Sequence, residues 1–443
     1  MTHPSDLPVA IIGAGPVGLA AAAQLVTRGL TPLVFEAGAA VAASVRAWGH
    51  VRVFSPWRYD IDGAARDLLE ATGWVAPPAD EIPTGDEIID RYLAPLAALP
   101  TLAPAIRLGA RVTAIGRLGL DKITSAARDD APFVLCWTDA GGTPRRSLAR
   151  AVIDASGTWN QPNPMGIDGL PVPGEATASP RVAHGLPDVR GRERAVYAGR
   201  HVLVVGSGHS AINVVLDLLR LRESDPATQV TWALRRGGIE RLLGGGLNDQ
   251  LPARGALGLA AGNAIAAGRL TLLAPFAATS LCLSGTGLRV NGRHGPDAIS
   301  LQVDRAIVAT GFRPDLQPLR ELRIALDPSV EAPPALAPLI DPNLHSCGTV
   351  PPHGAAELRQ PEPGFYIAGA KSYGRAPTFL MATGYEQVRS IVAEIAGDHE
   401  AAARVQLVLP ETGVCSAPPA PTAPPCCPPV EAAPAKACCG SAA

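Results

Sequence analysis

One short pattern occurs twice in the chain, and this repeat constrains the fold more than any other feature. The first copy, Val9–Gly18, reads VAIIGAGPVG, and the second, His201–Ala211, reads HVLVVGSGHSA. Each copy is an apolar run followed by a glycine-rich turn, a helical pattern and another apolar run. A β-strand, glycine turn, helix and second strand form a nucleotide-binding unit. Two copies predict an α/β protein with two Rossmann-like, dinucleotide-binding lobes.

The segments after each glycine turn have the patterns that such a unit needs. Leu19–Val26 is rich in alanine and ends near Arg28-Gly29, so we expect a buried helix. The second helix shows the i, i+3, i+4, i+7 apolar spacing at Ala211, Val214, Val215, Leu218 and Leu219. The strands that follow are predicted at Leu33–Glu36 and Val230–Leu234.

Each glycine of the first turn has a separate predicted task. Gly13 allows the tight turn, Gly15 lets the backbone approach a pyrophosphate, and Gly18 lets helix and strand pack closely. Pro16 opens the helix, whose free N–H groups and positive dipole end favour phosphate. Glu36 ends the next strand, where an acid accepts from a ribose hydroxyl and repels a 2′-phosphate. This first site therefore favours FAD or NAD over NADP.

The second turn predicts a different coenzyme. Gly206, Ser207 and Gly208 form the turn, while His209 and Ser210 stand at the helix entrance, where Ser210 is a candidate cap. No acid ends the next strand, and Arg235-Arg236 follows it instead. Two guanidinium groups there suit a 2′-phosphate, which favours NADPH and leaves NADH open. A pair of surface arginines is the alternative interpretation.

Composition excludes several other classes of protein. The 443 residues exceed one typical domain, and 38 Lys+Arg against 40 Asp+Glu give net charge −2. That balance offers no electrostatic attraction to nucleic acid or to an anionic membrane. Val9–Gln24 is uncharged, but its glycines suit a turn better than a membrane span. Met1–Pro8 lacks the basic start of a secretory signal, so we expect a soluble cytoplasmic protein.

Two further turns complete a family resemblance. Ala155-Ser156-Gly157 and Ala309-Thr310-Gly311 close crossover strands. Together with the two glycine turns they resemble the two-dinucleotide-binding flavoproteins. The layout from about residue 8 to about residue 400 is similar to class B flavin-dependent monooxygenases and flavin-containing monooxygenases. The resemblance implies FAD at the first turn, NADPH at the second, and a nicotinamide that reaches the flavin across the lobe interface.

The resemblance also implies a division of the chain. It places an FAD-binding domain in residues 1–165 and 303–410, with an NADPH-binding domain inserted at 166–302. Residues 237–246 and 255–268 are rich in Gly and Ala and are predicted to be loops. Residues 411–443 form a Pro/Ala tail, expected to be extended and mobile, that carries cysteine pairs.

Other flavin-side residues follow from the resemblance alone. Trp48 resembles the aromatic beside the flavin, Val112 the strand residue whose backbone meets the adenine, and Gly369 the glycine at the ribityl chain. A helix opening at Pro83–Glu87 belongs to the same layout. A later helix, from about Thr378, would aim its N-terminus at the isoalloxazine. Three more residues are flavin-side candidates, with a surface loop as the alternative: Lys371, Tyr373 and Arg375.

One fingerprint of that family is only partly matched. It reads Phe-x-Gly-x-x-x-His before the second glycine turn. His184 fits its last position, whereas Ala178 and Pro180 replace the Phe and the Gly. His184 is therefore either the fingerprint histidine or an ordinary loop residue.

The cysteines suggest a second hypothesis for the chemistry. No Cys-x-x-Cys occurs, so the dithiol of common flavin disulfide reductases is absent from the sequence. Cys347, near His353, either lines the active site or packs a turn. The pairs Cys426-Cys427 and Cys438-Cys439 are candidate ligands for a soft metal or metalloid. They resemble tails of mercuric reductases and of flavoproteins associated with bacterial arsenic resistance, which share motifs like Lys371–Thr378.

These observations predict a FAD-dependent, NADPH-consuming oxidoreductase. The leading hypothesis is a monooxygenase that forms a C4a-peroxyflavin with dioxygen and oxygenates a small substrate. A second is a reductase that passes electrons to tail thiols, a disulfide or a thiol-bound metal or metalloid. A third is a flavin-bearing redox sensor or metalloid-binding protein. No catalytic residue is assigned, and the candidates are Cys347, Lys371 and Tyr373. The sequence indicates neither substrate nor oligomeric state.

Overall fold

The first lobe is built on a five-stranded parallel sheet. A computed structural model describes residues 6–237, 252–344, 350–376 and 379–407. The sheet has the order β16-β7-β1-β2-β3. Its strands are β1 (Val9–Ile12), β2 (Pro32–Phe35), β3 (Ile106–Arg107), β7 (Ala151–Asp154) and β16 (Phe365–Ile367). Strands from both ends of the chain therefore share one sheet, which makes the second lobe an insertion.

The second lobe has its own five-stranded parallel sheet, of order β11-β10-β9-β15-β8. The strands are β8 (Val182–His184), β9 (His201–Val205), β10 (Gln229–Ala233), β11 (Thr271–Leu273) and β15 (Arg305–Val308). The predicted boundary at 303 assigned β15 to the first lobe, which is wrong. β15 pairs with β9 and β8, so the chain returns to the first lobe only after Val308.

A three-stranded antiparallel sheet accompanies each parallel sheet. The first consists of β4 (Arg111–Arg117), β5 (Phe133–Thr138) and β6 (Pro144–Ala149), and the second of β12 (Phe276–Ser284), β13 (Gly287–His294) and β14 (Asp297–Val303). Phe133 of β5 shares a buried cluster with Phe35 of β2. Leu288 of β13 shares another with Leu203 of β9. Each lobe therefore has its own core.

Helices cover the parallel sheets. In chain order they are α1 (Pro16–Thr27), α2 (Ala43–Ala47), α3 (Gly63–Glu70), α4 (Gly85–Ile88), α5 (Ala94–Ala97), α6 (Arg194–Tyr197), α7 (His209–Ser224), α8 (Pro252–Ala266), α9 (Ala337–Ile340), α10 (Ala355–Leu358), α11 (Met381–Ile395) and α12 (His399–Ala403). The predicted helices after both glycine turns are confirmed as α1 and α7, and the predicted apolar stripe of α7 is buried. Within the described ranges, no helix is both long enough and apolar enough to cross a membrane.

The assignment of residues 255–268 to a loop is wrong, because most of them form α8. Gly255, Gly258, Ala261 and Ala264 recur every third residue and are buried in this helix. Small side chains at that spacing let α8 pack against α7. The weak helix propensity of glycine is therefore overridden by tertiary contact. The other predicted loop, 237–246, and the tail, 411–443, lie outside the described residues, apart from Gly237.

Candidate functional site

The first glycine turn is shaped by close contact on two sides and open space on the third. Gly13 has φ +96°, and a Cβ there would lie 2.8 Å from the carbonyl oxygen of Ala155. A Cβ on Gly18 would lie 1.9 Å from the carbonyl oxygen of Gly13. A Cβ on Gly15 would meet nothing within 4 Å. Gly13 and Gly18 are therefore required by packing, while Gly15 faces space that a ligand can fill.

The start of α1 has the features of a phosphate site. Gly15 is the N-cap residue, no side chain caps it, and Pro16 begins the helix. The first N–H groups of a helix lack intrahelical partners, and the helix dipole adds positive potential there. An uncapped start beside the open face of Gly15 therefore fits the pyrophosphate of a dinucleotide. The contact with FAD itself stays a prediction.

Glu36 follows β2 and holds the glycine turn in place. Its Oε2 accepts a 2.9 Å hydrogen bond from the amide of Ala14, and its Oε1 accepts one of 2.7 Å from the amide of Gly38. The carboxylate is buried, with 9% of the residue exposed. Each carboxylate oxygen has a second lone pair, which leaves capacity for a ribose hydroxyl. The structure thus adds a positioning task to the predicted ribose contact.

The second turn repeats the design of the first. Gly206 has φ +140°, and a Cβ there would lie 2.3 Å from the carbonyl oxygen of Ala309. A Cβ on Gly208 would meet nothing within 4 Å. Trp232 Nε1 donates a 2.8 Å hydrogen bond to the carbonyl of Gly206 and fixes the turn. Gly208 is the N-cap of α7 without a side-chain cap, so the alternative role of Ser210 as the cap is wrong.

The predicted coenzyme-selecting arginines stand at an anchored strand end. Leu234 follows β10 and is buried, with its amide bonded to the carbonyl of Leu273 at 2.9 Å. Arg235 and Arg236 come next and are exposed. Exposed guanidinium groups are accessible to a 2′-phosphate, but exposure is also what ordinary surface arginines show. Their role in binding NADPH therefore stays a prediction. His209, the first residue of α7, has its ring 4.9 Å from that of Phe54 in the first lobe.

Lys371 is not a surface residue. Its Nζ donates to Oδ2 of Asp154 at 2.6 Å and to Oγ of Ser156 at 3.1 Å. Lys371 is 2% exposed and Tyr373 is 3% exposed, so the surface-loop alternative is wrong for both, whereas Arg375 is exposed. Asp154 is a functional candidate that the sequence analysis missed. Its signal was a single acid at the end of an otherwise apolar strand.

A buried hydrogen-bond network fixes the turn that follows β16. Gly369, with φ +69°, donates its N–H to Oε1 of Gln387 at 2.7 Å. Nε2 of Gln387 donates to Oγ of Ser372 at 3.0 Å, and that hydroxyl donates to the carbonyl of Gly369 at 2.8 Å. Gln387 was hidden from the sequence analysis because it lies inside the pattern of α11.

His353 completes this network as a neutral imidazole. The carbonyl of Pro351 lies 3.0 Å from Nδ1 and can only accept, so Nδ1 carries the proton. Nε2 then accepts from the side-chain amide of Gln387 at 2.9 Å. Burial lowers the pKa of His353, because a charged ring would lose its hydration. The Tyr373 ring lies 5.7 Å from that of His353.

The start of α11 lies against the start of α1. A Cβ on Gly384 would lie 2.5 Å from Cγ2 of Val17 and 2.7 Å from the ring of Phe379. Only glycine permits this approach, which places the open end of α11 near the first glycine turn. The helix begins at Met381 without a side-chain cap. Thr378, predicted near its start, lies outside the described residues.

Trp48 and Val112 are both in the first lobe. A Cβ on Gly85 would lie 2.9 Å from the Trp48 ring, so the ring packs on the start of α4. The predicted helix opening there is confirmed by a capping box between Thr84 and Glu87. Val112 lies on β4, two residues after Ala110. The amide of Ala110 donates a 2.8 Å hydrogen bond to the carbonyl of Glu36, which brings the start of β4 next to the end of β2. Their contacts with a flavin or an adenine stay predictions.

His184 ends β8 and is not a loop residue. Its Nε2 lies 3.9 Å from Oε1 of Glu175. Burial lowers its pKa more than the attraction of Glu175 raises it. A lowered pKa favours the neutral ring, which accepts a hydrogen bond at one nitrogen and donates one at the other.

The cysteine candidates for catalysis or metal binding fall outside the described residues: Cys347, Cys426, Cys427, Cys438 and Cys439. In the described part, Cys136 and Cys282 are free thiols on the two antiparallel sheets. The described His, Cys, Asp and Glu residues form no cluster that could hold a metal ion. The described chain thus places no thiol in the network around Gly369.

Two lobes with matching glycine turns define a two-dinucleotide-binding oxidoreductase. The family model described as pyridine nucleotide-disulphide oxidoreductase matches residues 10–242, which is more than half of the chain. The chain belongs to this family, and it is an oxidoreductase that uses FAD and a nicotinamide coenzyme.

Solved structures with the same fold include both reductases and monooxygenases. A bacillithiol disulfide reductase from Bacillus cereus has 18% identity and a TM-score of 0.66, covering 88% of this chain and 99% of that chain. An FAD-bound cadaverine monooxygenase of desferrioxamine biosynthesis from Erwinia amylovora has 14% identity and a TM-score of 0.63, covering 93% and 98%. A mutant flavin monooxygenase from Stenotrophomonas maltophilia has 22% identity and a TM-score of 0.52, covering 88% and 98%. Identities this low establish the fold and leave the reaction open.

Proposed function

We propose that the protein is an NADPH-dependent flavin monooxygenase, with FAD at the first glycine turn and NADPH at the second. The observation that carries this proposal is the shared geometry of the two turns. Gly13 packs on Ala155 and Gly206 on Ala309, while Gly15 and Gly208 both face open space. Two such cradles in two lobes suit a pair of dinucleotides that exchange electrons across the interface.

The residues of each cradle bind and orient, and the bound coenzymes supply the chemistry. The amides at the start of α1 hold the pyrophosphate of FAD, and Glu36 accepts from its ribose. The amides at the start of α7 hold NADPH, and Arg235 with Arg236 binds its 2′-phosphate. When bound, FAD would supply the redox chemistry: it would take two electrons from NADPH as a hydride and, with dioxygen and a proton, would allow one oxygen atom to enter the substrate and the other to leave as water.

The surroundings of Gly369 favour dioxygen over a disulfide as the electron acceptor. Its described neighbours are His353, Ser372 and Gln387, which are buried and hydrogen-bonded in one network. The described cysteines, Cys136 and Cys282, lie on the two antiparallel sheets and take no part in the hydrogen bonds of this network. Buried neutral groups also exclude water, which protects reactive flavin chemistry from side reactions.

A reductase is the second candidate. The adjacent tail pairs Cys426-Cys427 and Cys438-Cys439 favour it, because vicinal thiolates bind soft ions or form a reducible disulfide. In that case the tail disulfide, or a metal or metalloid held by tail thiolates, would be the acceptor of the two electrons that bound FAD would supply. Cys347 is a further thiol candidate for this route.

The experiment that tests both candidates is anaerobic mixing of the yellow holoenzyme with NADPH, followed by oxygen. Bleaching by NADPH is expected in either case, and its absence would contradict both and favour a sensor or metalloid-binding protein. Oxygen consumption with an oxygenated product supports the monooxygenase. Turnover that needs a disulfide or thiol-reactive ion, and stops when residues 417–443 are removed, would replace it with the reductase.

A further inference from the structure

The two chain segments that connect the lobes run side by side. The first leaves β7 and reaches Met165 in the core of the second lobe, and the second leaves β15 and reaches Leu319 in the core of the first. The amide of Asn163 donates to the carbonyl of Gly311 at 2.9 Å, and that of Arg313 donates to Gln161 at 3.0 Å. These bonds join the connections into a short antiparallel ribbon, named here the interlobe ribbon (residues 158–165 and 310–316).

An aromatic pair stacks across the interlobe ribbon. The rings of Trp159 and Phe312 have centroids 4.8 Å apart and an interplanar angle of 28°. Gly185, just after β8, lies beneath both rings. A Cβ there would lie 3.0 Å from Cη2 of Trp159 and 3.1 Å from Cζ of Phe312. The absence of a side chain at 185 therefore permits the stack, which joins both connections to the second sheet.

The same pair lies on a short route of chain segments and packing contacts between the two glycine turns. Trp159 follows Ala155, whose carbonyl packs on Gly13, and Phe312 follows Ala309, whose carbonyl packs on Gly206. A change in the angle between the stacked rings would therefore move one cradle relative to the other. Hydride transfer requires reacting atoms about 3–3.5 Å apart, and a misplacement of about 1 Å costs about 100-fold in rate.

We propose that Trp159 and Phe312 are positioning residues: their stack clamps the interlobe ribbon and fixes the lobe angle at which nicotinamide meets flavin. This inference rests on the proposed NADPH and FAD sites. The step served is transfer of a hydride, two electrons with one proton, from nicotinamide C4 to the flavin, leaving NADP⁺. Neither side chain exchanges protons or electrons, so their effect is on geometry.

Two perturbed proteins and two matched controls test the proposal. Gly185→Ala pushes a methyl group into both rings, and Phe312→Leu removes the stack. Gly199→Ala is the control for the first, because Gly199 has φ +68° against +81° for Gly185, yet a Cβ at 199 meets nothing within 4 Å. Phe276→Leu, at a buried ring of β12 outside the interlobe ribbon, controls the second for loss of a phenyl group. Should Gly185→Ala fail to fold, Phe312→Leu and its control still decide the outcome.

The first measurement needs no coenzyme turnover. Hydrogen exchange of peptides that contain the Asn163 and Arg313 amides should be about 10-fold faster in Gly185→Ala and Phe312→Leu, because opening of the interlobe ribbon becomes easier. In these peptides Gly199→Ala and Phe276→Leu should exchange like the unaltered protein. Unchanged exchange in both perturbed proteins would overturn the proposal.

The second measurement is the anaerobic rate of flavin reduction and the dissociation constant of NADPH. Reduction should slow by about 10-fold to about 100-fold in the two perturbed proteins, while the dissociation constant and FAD content stay as in the controls. Faster exchange with an unchanged reduction rate would show a purely structural stack and overturn the proposal. Failure of NADPH to reduce the unaltered protein would instead refute the proposed function, and this inference with it.

Discussion

Lys371 Nζ lies 2.6 Å from Asp154 Oδ2, and the two side chains are each 2% exposed. The pair joins the turn after β16 to the end of β7, where Ser156 donates to Oδ1 of Asp154 at 2.7 Å. Loops that begin at these two strand ends belong to the edge of the sheet that carries the first glycine turn. A change to either charge is therefore expected to affect both stability and flavin binding.

Lys371→Met should destabilise the protein by about 3–5 kcal/mol, because it leaves the carboxylate of Asp154 buried without a counter-charge. The double variant Lys371→Met with Asp154→Leu should recover most of this loss. Denaturant unfolding measures both. Arg404, paired with Glu400 at an exposed site, is the control: Arg404→Met should cost less than about 1 kcal/mol. A double variant as unstable as the single one would show that charge pairing is not the cause.

Gly15→Val and Gly18→Ala should fail in different ways. Valine at 15 meets open space, so the apoprotein should unfold at its usual denaturant concentration while FAD binding is lost. Alanine at 18 places Cβ 1.9 Å from the carbonyl of Gly13 and should lower stability itself. Unfolding curves of the apoproteins and flavin absorbance after reconstitution distinguish the two effects. Full FAD content in Gly15→Val would contradict the assigned cradle.

Arg235→Ala combined with Arg236→Ala should weaken NADPH binding by about 1–3 kcal/mol, which corresponds to about 5-fold to about 150-fold. NADH lacks the 2′-phosphate, so its affinity should change little. Titration of each coenzyme into the holoenzyme gives both constants. Arg289→Ala, another exposed arginine of the second lobe, controls for loss of a surface charge. Equal losses of affinity for NADPH and NADH would show that the two arginines do not bind the 2′-phosphate.

Asp60 should make stability fall as pH rises. It is fully buried, its Oδ1 accepts from Ser55 at 2.6 Å, and its Oδ2 has no hydrogen-bond partner among the described residues. Burial raises the pKa of Asp60 to about 7. The unfolded carboxyl ionises near pH 4, at about 3.9. Between these values the folded state binds the extra proton, so stability decreases with pH and levels off above pH 7.

The variant Asp60→Asn should lack that dependence. From pH 5 to pH 8 the free energy of unfolding should fall about 2–3 kcal/mol more in the unaltered protein than in the variant. Asp62 also has a pKa raised by burial, to about 6, and its contribution is common to both proteins. Urea unfolding measures this free energy for both proteins. If it changed with pH by the same amount in both, Asp60 would already be ionised in the folded state over this range.

Sequence patterns predicted those parts of the fold and site that are local. Gly13, Gly18 and the α1 helix are predictable because each depends on neighbours within one strand-turn-helix unit. Glu36 was predictable as well, since the end of β2 always adjoins the turn after β1 in such a unit. Gly15 and Gly208 have the open space that a coenzyme needs, and their contacts with the coenzymes stay predictions.

The errors and omissions involve contacts between distant segments. Residues 255–268 contain too much glycine to predict a helix, yet packing on α7 makes them one. β15 was assigned to the wrong lobe because an apolar strand does not encode which sheet it joins. The sequence does not distinguish a flavin-side from a surface position for Lys371, because its partner Asp154 lies 217 residues earlier.

The order of residues was sufficient for two nucleotide-binding units, because short-range sterics and helix periodicity decide a glycine turn and the helix after it. Tertiary folding alone decided which strand ends meet, which charges become buried, and that Trp159 stacks on Phe312. Those contacts depend on the folded path of the whole chain, since each joins segments whose separation along the sequence carries no local signal.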